Sequence, residues 1–460
     1  MSPMPTQPLS PLDGRYQAAV SGLGEHLSEA GLNRARVRVE VEWLLFLTDR
    51  GFAGSAPVSP EQASALRAFA ADFGADEIAR LAEVEARTRH DVKAVEYLVR
   101  EKLDELGLTG IAELTHFACT SEDVNNLSYA ITIGDAVRGV WLPAYRSVVD
   151  ALRAIAVEFR DDAMLAHTHG QPATPTTVGK EFAVVVHRLE RVLKRIEAIE
   201  YLGKLNGATG TYAAHLAAGP DLDWPALSEE FVTSLGLSWN PLTTQIESHD
   251  WQVELYQAIA HANRILHNLC TDMWTYISMG YFRQIPQAGA TRSSTMPHKI
   301  NPIRFENAEA NMELSCALLD SLAQTLVTSR MQRDLTDSTT QRNVGVALGH
   351  SLLALDNIRR GLKEIDLDRV RLAADLDANW EVLGEAIQTV IRAEVTAGRS
   401  SIEDPYAILK DLTRGKRVGQ SELVEFIDGL DIGDAAKARL RVLTPSGYAG
   451  LASSLVDIVA

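Results

Sequence analysis

The sequence predicts an all-α protein built from long helices, and two observations carry that prediction. Apolar residues recur at helical spacing over long stretches, while alternating strand patterns with hairpin turns are scarce. The clearest helical pattern begins at Glu181, where apolar residues recur at steps of three and one with charged residues between them. Similar segments cover about 251–282, 306–330 and 344–362. Helices of this length indicate a bundle, a coiled coil or a helical oligomer.

Breaks in the helical pattern divide the chain into three all-α segments. The first ends near Gly107–Gly110, the middle one contains the longest helices and reaches about Gly361, and the last has shorter helices. We therefore predict an N-terminal helical domain over 1–112, a central long-helix domain over 113–363 and a C-terminal helical domain over 364–460. Functional residues are expected in the non-helical stretches between the long helices, since loops on a rigid scaffold usually carry them.

Charge and composition restrict the partners of the chain. With 44 basic and 61 acidic residues among 460, the net charge is −17, which argues against nucleic acid or an anionic membrane as a general partner. The 3 cysteines are far apart and form neither a disulfide framework nor a zinc spacing. The N-terminus has no signal-peptide pattern, no apolar run could span a bilayer, and no redox, pyridoxal or Walker motif occurs. We expect a cytoplasmic protein without metal or cofactor.

One stretch of this acidic chain is locally cationic. Residues 291–311 read TRSSTMPHKINPIRFENAEAN, with the adjacent serines Ser293 and Ser294. The window from Met273 to Phe305 contains no Asp or Glu, and its formal charges are Arg283, Arg292, Lys299 and Arg304. A protein of high negative charge needs such a local positive cluster to draw in an anionic ligand. The stretch therefore predicts a serine-bearing loop for an anion.

The stretch RTRHDVKAVEY places Arg89, His90 and Asp91 where an amphipathic helix opens. A helix N-terminus with a basic neighbour binds anions well. The alternative is a solvated helix start, with Asp91 as its N-cap or first-turn acid.

A second stretch, HFACTSEDVNNLSYA, places Thr120 and Ser121 directly before two acids, which is a common N-cap pattern. Helix capping is therefore the alternative to a binding role for both residues. Asn125 and Asn126 follow inside the same helix, where propensity alone does not explain them.

A third stretch, HTHGQPATPTTVGKE, presents His167 and His169. Two histidines two residues apart bind a metal only from an extended backbone, and no third ligand lies nearby in sequence. Pro172 and Pro175 predict a rigid, irregular loop until a helix begins near Thr177. A histidine held on such a loop is a candidate acid or base near neutral pH.

The stretch SRMQRDLTDSTTQRN combines arginines with hydroxyl side chains, which together suit phosphate or carboxylate oxygens: Arg330, Arg333, Ser338, Thr339, Thr340 and Arg342. Gly203, Gly207 and Gly210 only loosely resemble a phosphate loop, because their spacing is wrong and no strand is predicted before them. These features together indicate an enzyme that transfers protons near the carboxylates of an anionic small molecule. A serine hydrolase would need a G-x-S-x-G elbow, which the sequence lacks.

The motif SSTMPHKINP resembles the signature of the fumarase/aspartase superfamily. Together with SPLDGRY, RHDVKAVEY, HFACTSEDVNNLS, THGQPATPTT and QRDLTDST, it resembles the bacterial-type adenylosuccinate lyases over nearly the whole chain. The resemblance implies a three-domain subunit whose long central helices form a multi-helix bundle in a homotetramer, with each active site built from three subunits. It also implies a carbon–nitrogen lyase that releases fumarate from adenylosuccinate, giving AMP, and from succinylaminoimidazole carboxamide ribotide, giving AICAR.

The resemblance also assigns site residues. It implies that His169 is the general acid and Ser293 the base. The remaining matched positions are implied to bind or orient the substrate: Arg15, Tyr16, Arg89, His90, Asp91, Thr120, Ser121, Gln245, Ser294, Lys299, Ile300, Asn301, Glu306, Asn307, Arg333, Ser338, Thr339, Thr340, Gln341 and Arg342. Two positions depart from the family pattern, since Arg292 replaces a glycine and Arg89 stands where related sequences often have Asn.

Two other readings remain open from the sequence. The first is another lyase of the superfamily, such as one that acts on argininosuccinate. The second is a helical oligomer without catalytic activity, which the joint presence of His169, Ser293 and Lys299 argues against.

Overall fold

The computed structural model describes residues 8–286, 300–413 and 418–460, and it is built mainly of helices. The helices are α1 (Gln17–Leu27), α2 (Glu29–Asp49), α3 (Pro60–Ala71), α4 (Ala75–Thr88), α5 (Asp91–Glu105), α6 (Ser121–Ala136), α7 (Leu142–Glu158), α8 (Val178–Glu197), α9 (Ala213–Ala218), α10 (Trp224–Ser234), α11 (Asp250–Met279), α12 (Ile303–Leu326), α13 (Thr336–Gln341), α14 (Val344–Lys363), α15 (Arg369–Asp377), α16 (Gly384–Thr396), α17 (Pro405–Thr413), α18 (Gln420–Gly429), α19 (Asp434–Arg441) and α20 (Ala452–Leu455). The predicted all-α class is therefore confirmed, and α11, α12 and α14 match the long helices predicted at 251–282, 306–330 and 344–362.

The described strands are short and form three two-stranded sheets. They are β1 (Ala163–Thr168) antiparallel to β2 (Gln171–Thr177), β3 (Leu202–Gly203) parallel to β4 (Ser238–Trp239), and β5 (Phe282–Gln284) antiparallel to β6 (Ile365–Leu367). The sequence pattern missed β3, which directly precedes Lys204 and the glycines at 207 and 210.

The prediction of an irregular loop before α8 was wrong, because residues 163–177 form the hairpin β1–β2. Pro172 lies opposite His167 in the register, and the pairing is irregular between Met164 and Ala166. Pro175 falls within that irregularity, where a β-bulge tolerates a residue without an N–H. Proline therefore displaced the register locally without preventing strand pairing.

The described residues form two compact units, called unit 1 and unit 2 below. Unit 1 comprises Met1–Arg146, Val192–Arg264 and Ala308–Asp356, and unit 2 comprises Ser147–Arg191, Ile265–Asn307 and Asn357–Ala460.

Helices α2 to α5 surround a hydrophobic core within unit 1. Ser28 begins α2 by accepting a hydrogen bond from Gly31 N at 3.1 Å, and Ser59 begins α3 with Pro60 in its first turn. Apolar residues at helical spacing then fill the core: Val37, Val41, Leu44, Leu45, Leu66, Ala70, Phe73, Leu81, Val84, Ala94, Val95, Leu98, Val99, Leu103 and Leu114. This packing fixes α5, whose N-terminus carries two of the predicted site residues.

Helices α16, α18 and α19 contribute to a second hydrophobic core, which lies within unit 2. Its buried members are Trp380, Leu383, Ile387, Ile391, Leu409, Val418, Leu423, Ile427, Leu430, Ile432, Ala436 and Leu440. None of the described site residues belongs to this core, which packs the C-terminal helices together.

Candidate active site

A cavity of about 320 Å³ in unit 1 brings together predicted residues from four separate stretches of sequence. It is lined by the N-terminal parts of α5 and α6, by the loop residue Gln245, and by the chain from Arg333 into α13: His90, Asp91, Thr120, Ser121, Asn125, Gln245, Arg333, Asp334, Leu335 and Ser338. Nearly all of these residues have polar side chains, which include cationic, anionic, amide and hydroxyl groups. Such a surface suits a polar ligand with several charged groups better than an apolar one.

The first wall of the cavity is the N-terminus of α5. His90 is the N-cap, and its Nδ1 accepts a hydrogen bond from Lys93 N at 3.2 Å. Asp91 stands in the first turn, as the capping alternative predicted, and it also lines the cavity. Burial favours the neutral acid, but the Arg36 guanidinium and the Val92 N–H together lower the pKa of Asp91 below its ordinary value. Asp91 is therefore an anion held in a fixed position.

Buried Arg36 of α2 holds this wall in place through its hydrogen bonds. Its side chain is 1% exposed, and it donates to Asp91 Oδ2 at 2.9 Å and to Asn125 Oδ1 at 2.9 Å. Both partners line the cavity, so one buried guanidinium positions residues from α5 and α6. Sequence reasoning missed Arg36, although it stands four residues after Leu32 and four before Glu40, where a buried helix face would continue.

The second wall is the N-terminus of α6. Thr120 is its N-cap, and the backbone N–H of Thr120 donates to Asp123 Oδ2 at 2.8 Å. The capping prediction is confirmed, yet both Thr120 and Ser121 also line the cavity. The two interpretations of this stretch are thus compatible, because capping fixes the backbone from which the hydroxyl groups project.

The turn before α6 has an unusual backbone. His116 and Ala118 have φ values of 58° and 55°, a left-handed conformation that side chains rarely adopt. Buried Glu40 holds the turn by accepting from His116 N at 2.9 Å and pairing with His116 Nδ1 at 2.6 Å. Trp43 Nε1 donates to Phe117 O at 3.0 Å. Two residues of α2 thus fix the approach of the chain to Thr120.

Two of the predicted arginines, Arg333 and Arg342, are engaged with carboxylates. Arg333 lines the cavity, and its Nη1 lies 2.6 Å from Glu122 Oε1. Arg342 pairs with Glu29, and its Nη2 lies 3.0 Å from Asp91 Oδ2. An anionic ligand therefore meets arginines that are already oriented by protein carboxylates, and its affinity depends on competition with them.

Other described residues of unit 1 that the sequence predicts for the site are not among those that line the cavity. Arg15 is exposed, with its guanidinium 5.8 Å from the Tyr16 ring, and Arg89 is exposed at the end of α4 with φ 52°. Thr339, Thr340 and Gln341 belong to α13. Thr340 Oγ1 donates to Thr336 O at 2.8 Å, and buried Gln341 contacts His249 Nε2 at 3.1 Å. Thr340 thus contacts its own helix, whereas Gln341 contacts a residue distant in sequence.

Unit 2 contains the predicted general acid. His169 and Gly170 connect β1 to β2 and have φ values of 53° and 74°. Positive φ at both central residues is what a type I′ turn requires, because only that twist matches the twist of the flanking strands. His169 is exposed and occupies the left-handed conformation without the freedom of glycine. The hairpin thus presents the imidazole at its tip.

The N-terminus of α12, also in unit 2, carries four more predicted residues. Ile300 O accepts from Gln284 Nε2 at 3.1 Å, and Asn301 is half-buried just before the helix. Glu306 Oε1 accepts from Trp274 Nε1 at 3.1 Å, and Asn307 Oδ1 accepts from Asn357 Nδ2 at 2.9 Å. Ser293, Ser294 and Lys299 lie outside the described residues, as does Arg292.

The following two absences concern residues 8–286, 300–413 and 418–460. Within these ranges, no group of three or more His, Cys, Asp or Glu side chains is arranged to hold a metal ion. None of the helices described there is both long and apolar enough to cross a membrane.

Comparison with known proteins first defines the class. A family model described as "Lyase" matches residues 14–317, and one described as "Adenylosuccinate lyase C-terminal" matches residues 329–449. A solved fumarate lyase from Mesorhizobium sp. BNC1 has a TM-score of 0.76 at 20% identity, covering 95% of this chain and 97% of that chain. A 3-carboxy-cis,cis-muconate lactonizing enzyme from Pseudomonas putida has a TM-score of 0.74 at 19% identity, covering 96% and 97%. The fold and the family model thus define a lyase of this helical class.

Sequence relatives then define the family. The chain is 49% identical to the adenylosuccinate lyases of Escherichia coli (strain K12) and Haemophilus influenzae, over 98% of this chain and 98% of each relative. The adenylosuccinate lyase of Vibrio cholerae is 48% identical over the same shares. The chain belongs to the adenylosuccinate lyase family.

Proposed function

We propose that the chain cleaves adenylosuccinate to AMP and fumarate, and succinylaminoimidazole carboxamide ribotide to AICAR and fumarate. The observation that carries this proposal is near-full-length identity of 49% to adenylosuccinate lyases. The polar cavity supports it, because residues from four stretches of the family pattern converge there. The same identity favours this reaction over the argininosuccinate alternative and over a helical oligomer without activity.

The reaction requires one proton to leave carbon and one to reach nitrogen. Removal of the proton beside a carboxylate forms an aci-carboxylate with two negative charges, and its electron pair becomes the carbon–carbon double bond of fumarate. The carbon–nitrogen bond breaks at the same time, and the leaving nitrogen takes up a proton. We assign Ser293 as the base and His169 as the acid. Lys299 and neighbouring amides would stabilise the aci-carboxylate, since oriented donors do this best where water is excluded.

Serine is a weak base in water, so its assignment needs an electrostatic argument. In the sequence window 273–305, which contains Ser293 and no Asp or Glu, every formally charged residue is a cation. A nearby cation favours the alkoxide form of serine. His169 stands at an exposed hairpin tip, where its imidazole is accessible to the leaving nitrogen of a bound substrate.

The substrate-binding residues divide by their location. In unit 1, the cavity residues would contact the substrate, with Arg15, Tyr16, Arg89 and Asp91 toward the nucleotide and His90 near the phosphate or leaving group. In unit 2, Ile300, Asn301 and Asn307 would bind and Glu306 would orient the site; Ser294 is assigned to substrate binding.

We also propose a homotetramer in the cytoplasm whose active sites combine residues from different subunits. The length of α11, α12 and α14 supports association through a central bundle, and the three-domain division at 112 and 363 remains a prediction. Mixed refolding tests the sharing: variants His169→Ala and Ser293→Ala, each inactive alone, should regain a sizeable minority of activity when refolded together. A mixture no more active than its parts, with oligomers confirmed by sizing, would place both residues in one chain.

The reaction is tested by following the loss of succinyl-purine absorbance with adenylosuccinate, without added metal or cofactor. Argininosuccinate is the matched control substrate. We expect turnover of adenylosuccinate and none of argininosuccinate. No turnover of either succinyl-purine nucleotide would refute the function, and activity abolished by a chelator and restored by zinc would refute the metal-free mechanism.

A further inference from the structure

A buried ion pair lies behind the cavity of unit 1, and the mechanism above gives it no role. Lys204 Nζ lies 2.9 Å from Asp123 Oδ1, and both side chains are 0% exposed. Removing two charges from water costs several kcal/mol per ion in general, so a buried pair by itself is weak evidence for added stability. A role in positioning neighbouring backbone segments would explain why two charged side chains are buried here.

Asp123 connects two chain segments. One of its oxygens, Oδ2, accepts from Thr120 N at 2.8 Å at the start of α6. The other, Oδ1, accepts from Asn206 N at 2.9 Å, and both oxygens lie within 3.3 Å of Gly207 N. The carboxylate thus ties the residues that follow β3 to the first turn of α6.

Lys204 and its neighbours complete the attachment. Lys204 Nζ also lies 3.4 Å from Gly207 O, which it approaches as a donor. The side-chain amide of Asn126 pairs with the backbone of Lys204, accepting from its N at 2.8 Å and donating to its O at 3.0 Å. This explains the presence of Asn126 in a helix, where propensity alone did not.

Residues 204–210, called the clamp segment here, contact the cavity lining through Ala208. Gln245, which lines the cavity, donates from Nε2 to Ala208 O at 2.9 Å. Asn206 Nδ2 donates to Thr243 Oγ1 at 2.8 Å. Gly210 packs so closely that a Cβ would lie 2.2 Å from Thr243 O, at a φ of 74°. The clamp segment therefore sets the position of residues 243–245.

We propose that Lys204 and Asp123 are positioning residues for the adenylosuccinate site. Their buried ion pair holds the clamp segment against the first turn of α6, and it thereby fixes Thr120, Ser121 and Gln245 in one arrangement toward the substrate. This inference rests on the proposed function for its kinetic consequence, while its structural part concerns the protein without substrate.

The main variant is Asp123→Asn combined with Lys204→Met, which leaves no unpaired buried charge. We expect KM for adenylosuccinate to rise at least about tenfold while kcat changes by less than about threefold, because groups that bind the substrate are displaced. The control is Leu66→Ala in the core of α3, which lowers stability without touching the cavity. Equal KM increases in the control and the double variant, or a KM within about twofold of wild type in the double variant, would overturn the proposal.

Gly210→Ala serves as a second variant, since it displaces the clamp segment while keeping both charges. If the double variant does not fold, this variant tests whether the clamp segment positions Gln245: a raised KM supports that step of the proposal, and an unchanged KM overturns the proposal. Amide hydrogen exchange of peptides covering 118–123 and 204–210 gives a readout that needs no substrate. Faster exchange in both peptides than in the Leu66→Ala protein is expected, and unchanged exchange would overturn the proposal even if wild-type protein showed no lyase activity.

Discussion

The cavity of unit 1 and the hairpin tip of unit 2 present their functional groups in opposite ways. Cavity residues are anchored from behind by buried charged groups, as Arg36 anchors Asp91 and Asn125. His169 instead stands exposed at a turn, in a left-handed backbone conformation. If the proposed roles hold, the difference teaches that groups that bind a substrate need a fixed arrangement, whereas the proposed proton donor needs access to the bound substrate.

The largest expected effect concerns proton transfer. His169→Ala and Ser293→Ala should each lower kcat by roughly two to four decades with a smaller change in KM, because each removes a group that we propose to transfer a proton. Steady-state kinetics with adenylosuccinate measures both constants. Ser294→Ala is the matched control, and if it loses kcat while Ser293→Ala keeps it, the base is the neighbouring serine.

The second prediction tests the anchoring of the cavity. Arg36→Met should lower the free energy of unfolding by about 3 kcal/mol, because it leaves Asp91 and Asn125 without their buried partner. It should also raise KM for adenylosuccinate. Arg38→Met on the exposed face of the same helix is the control for loss of a charge. Equal stability of the two variants in denaturant unfolding would show that Arg36 anchors nothing.

A smaller effect is expected at the hairpin tip. Gly170→Ala places a side chain at φ 74°, which costs roughly 1–2 kcal/mol and shifts the turn that carries His169. We expect a fall in kcat that exceeds any rise in KM. Gly384→Ala, at an open position in the same unit, should leave both constants near wild type. A Gly170→Ala protein with wild-type kcat would mean that the turn does not control the imidazole.

The smallest effect concerns pH. The pKa of Asp91 is lowered in the folded protein, so its contribution to stability is fully present above the ordinary Asp pKa of about 3.9 and is lost as pH falls through the lowered value. Wild-type protein should therefore lose more stability than Asp91→Asn between pH about 6 and about 3. Denaturant unfolding at both pH values measures this, with Asp221→Asn as an exposed control. Identical pH dependence in wild type and Asp91→Asn would contradict the ion pair with Arg36.

The sequence predicted the helical scaffold well because helices leave a local, periodic signal. The long apolar pattern gave α11 nearly to its ends, and family motifs supplied the cavity residues Thr120, Ser121 and Gln245. The hairpin around His169 was missed because two prolines dominated the local reading, whereas strand pairing is a non-local interaction.

Buried charged residues that position the cavity lining were harder to predict. Arg36, Lys204 and Asp123 are charged residues buried far apart in sequence, and nothing local announces their partners. Helix propensity does not explain Asn126, whereas its side-chain contacts with the backbone of Lys204 account for its presence in α6. A polar residue that interrupts a predicted helix face is therefore the signal that sequence reasoning could use.

In the proposed mechanism, the cavity binds the substrate while the hairpin tip transfers the proton. Equilibrium titration of adenylosuccinate into His169→Ala protein tests it most directly, because this variant should hold the substrate without consuming it. We predict saturable binding, weakened about tenfold when Ser121→Ala is added, since one polar contact to a charged group contributes about that much. Absence of binding to His169→Ala, or binding unaffected by Ser121→Ala, would contradict this division of roles between the cavity and the hairpin tip.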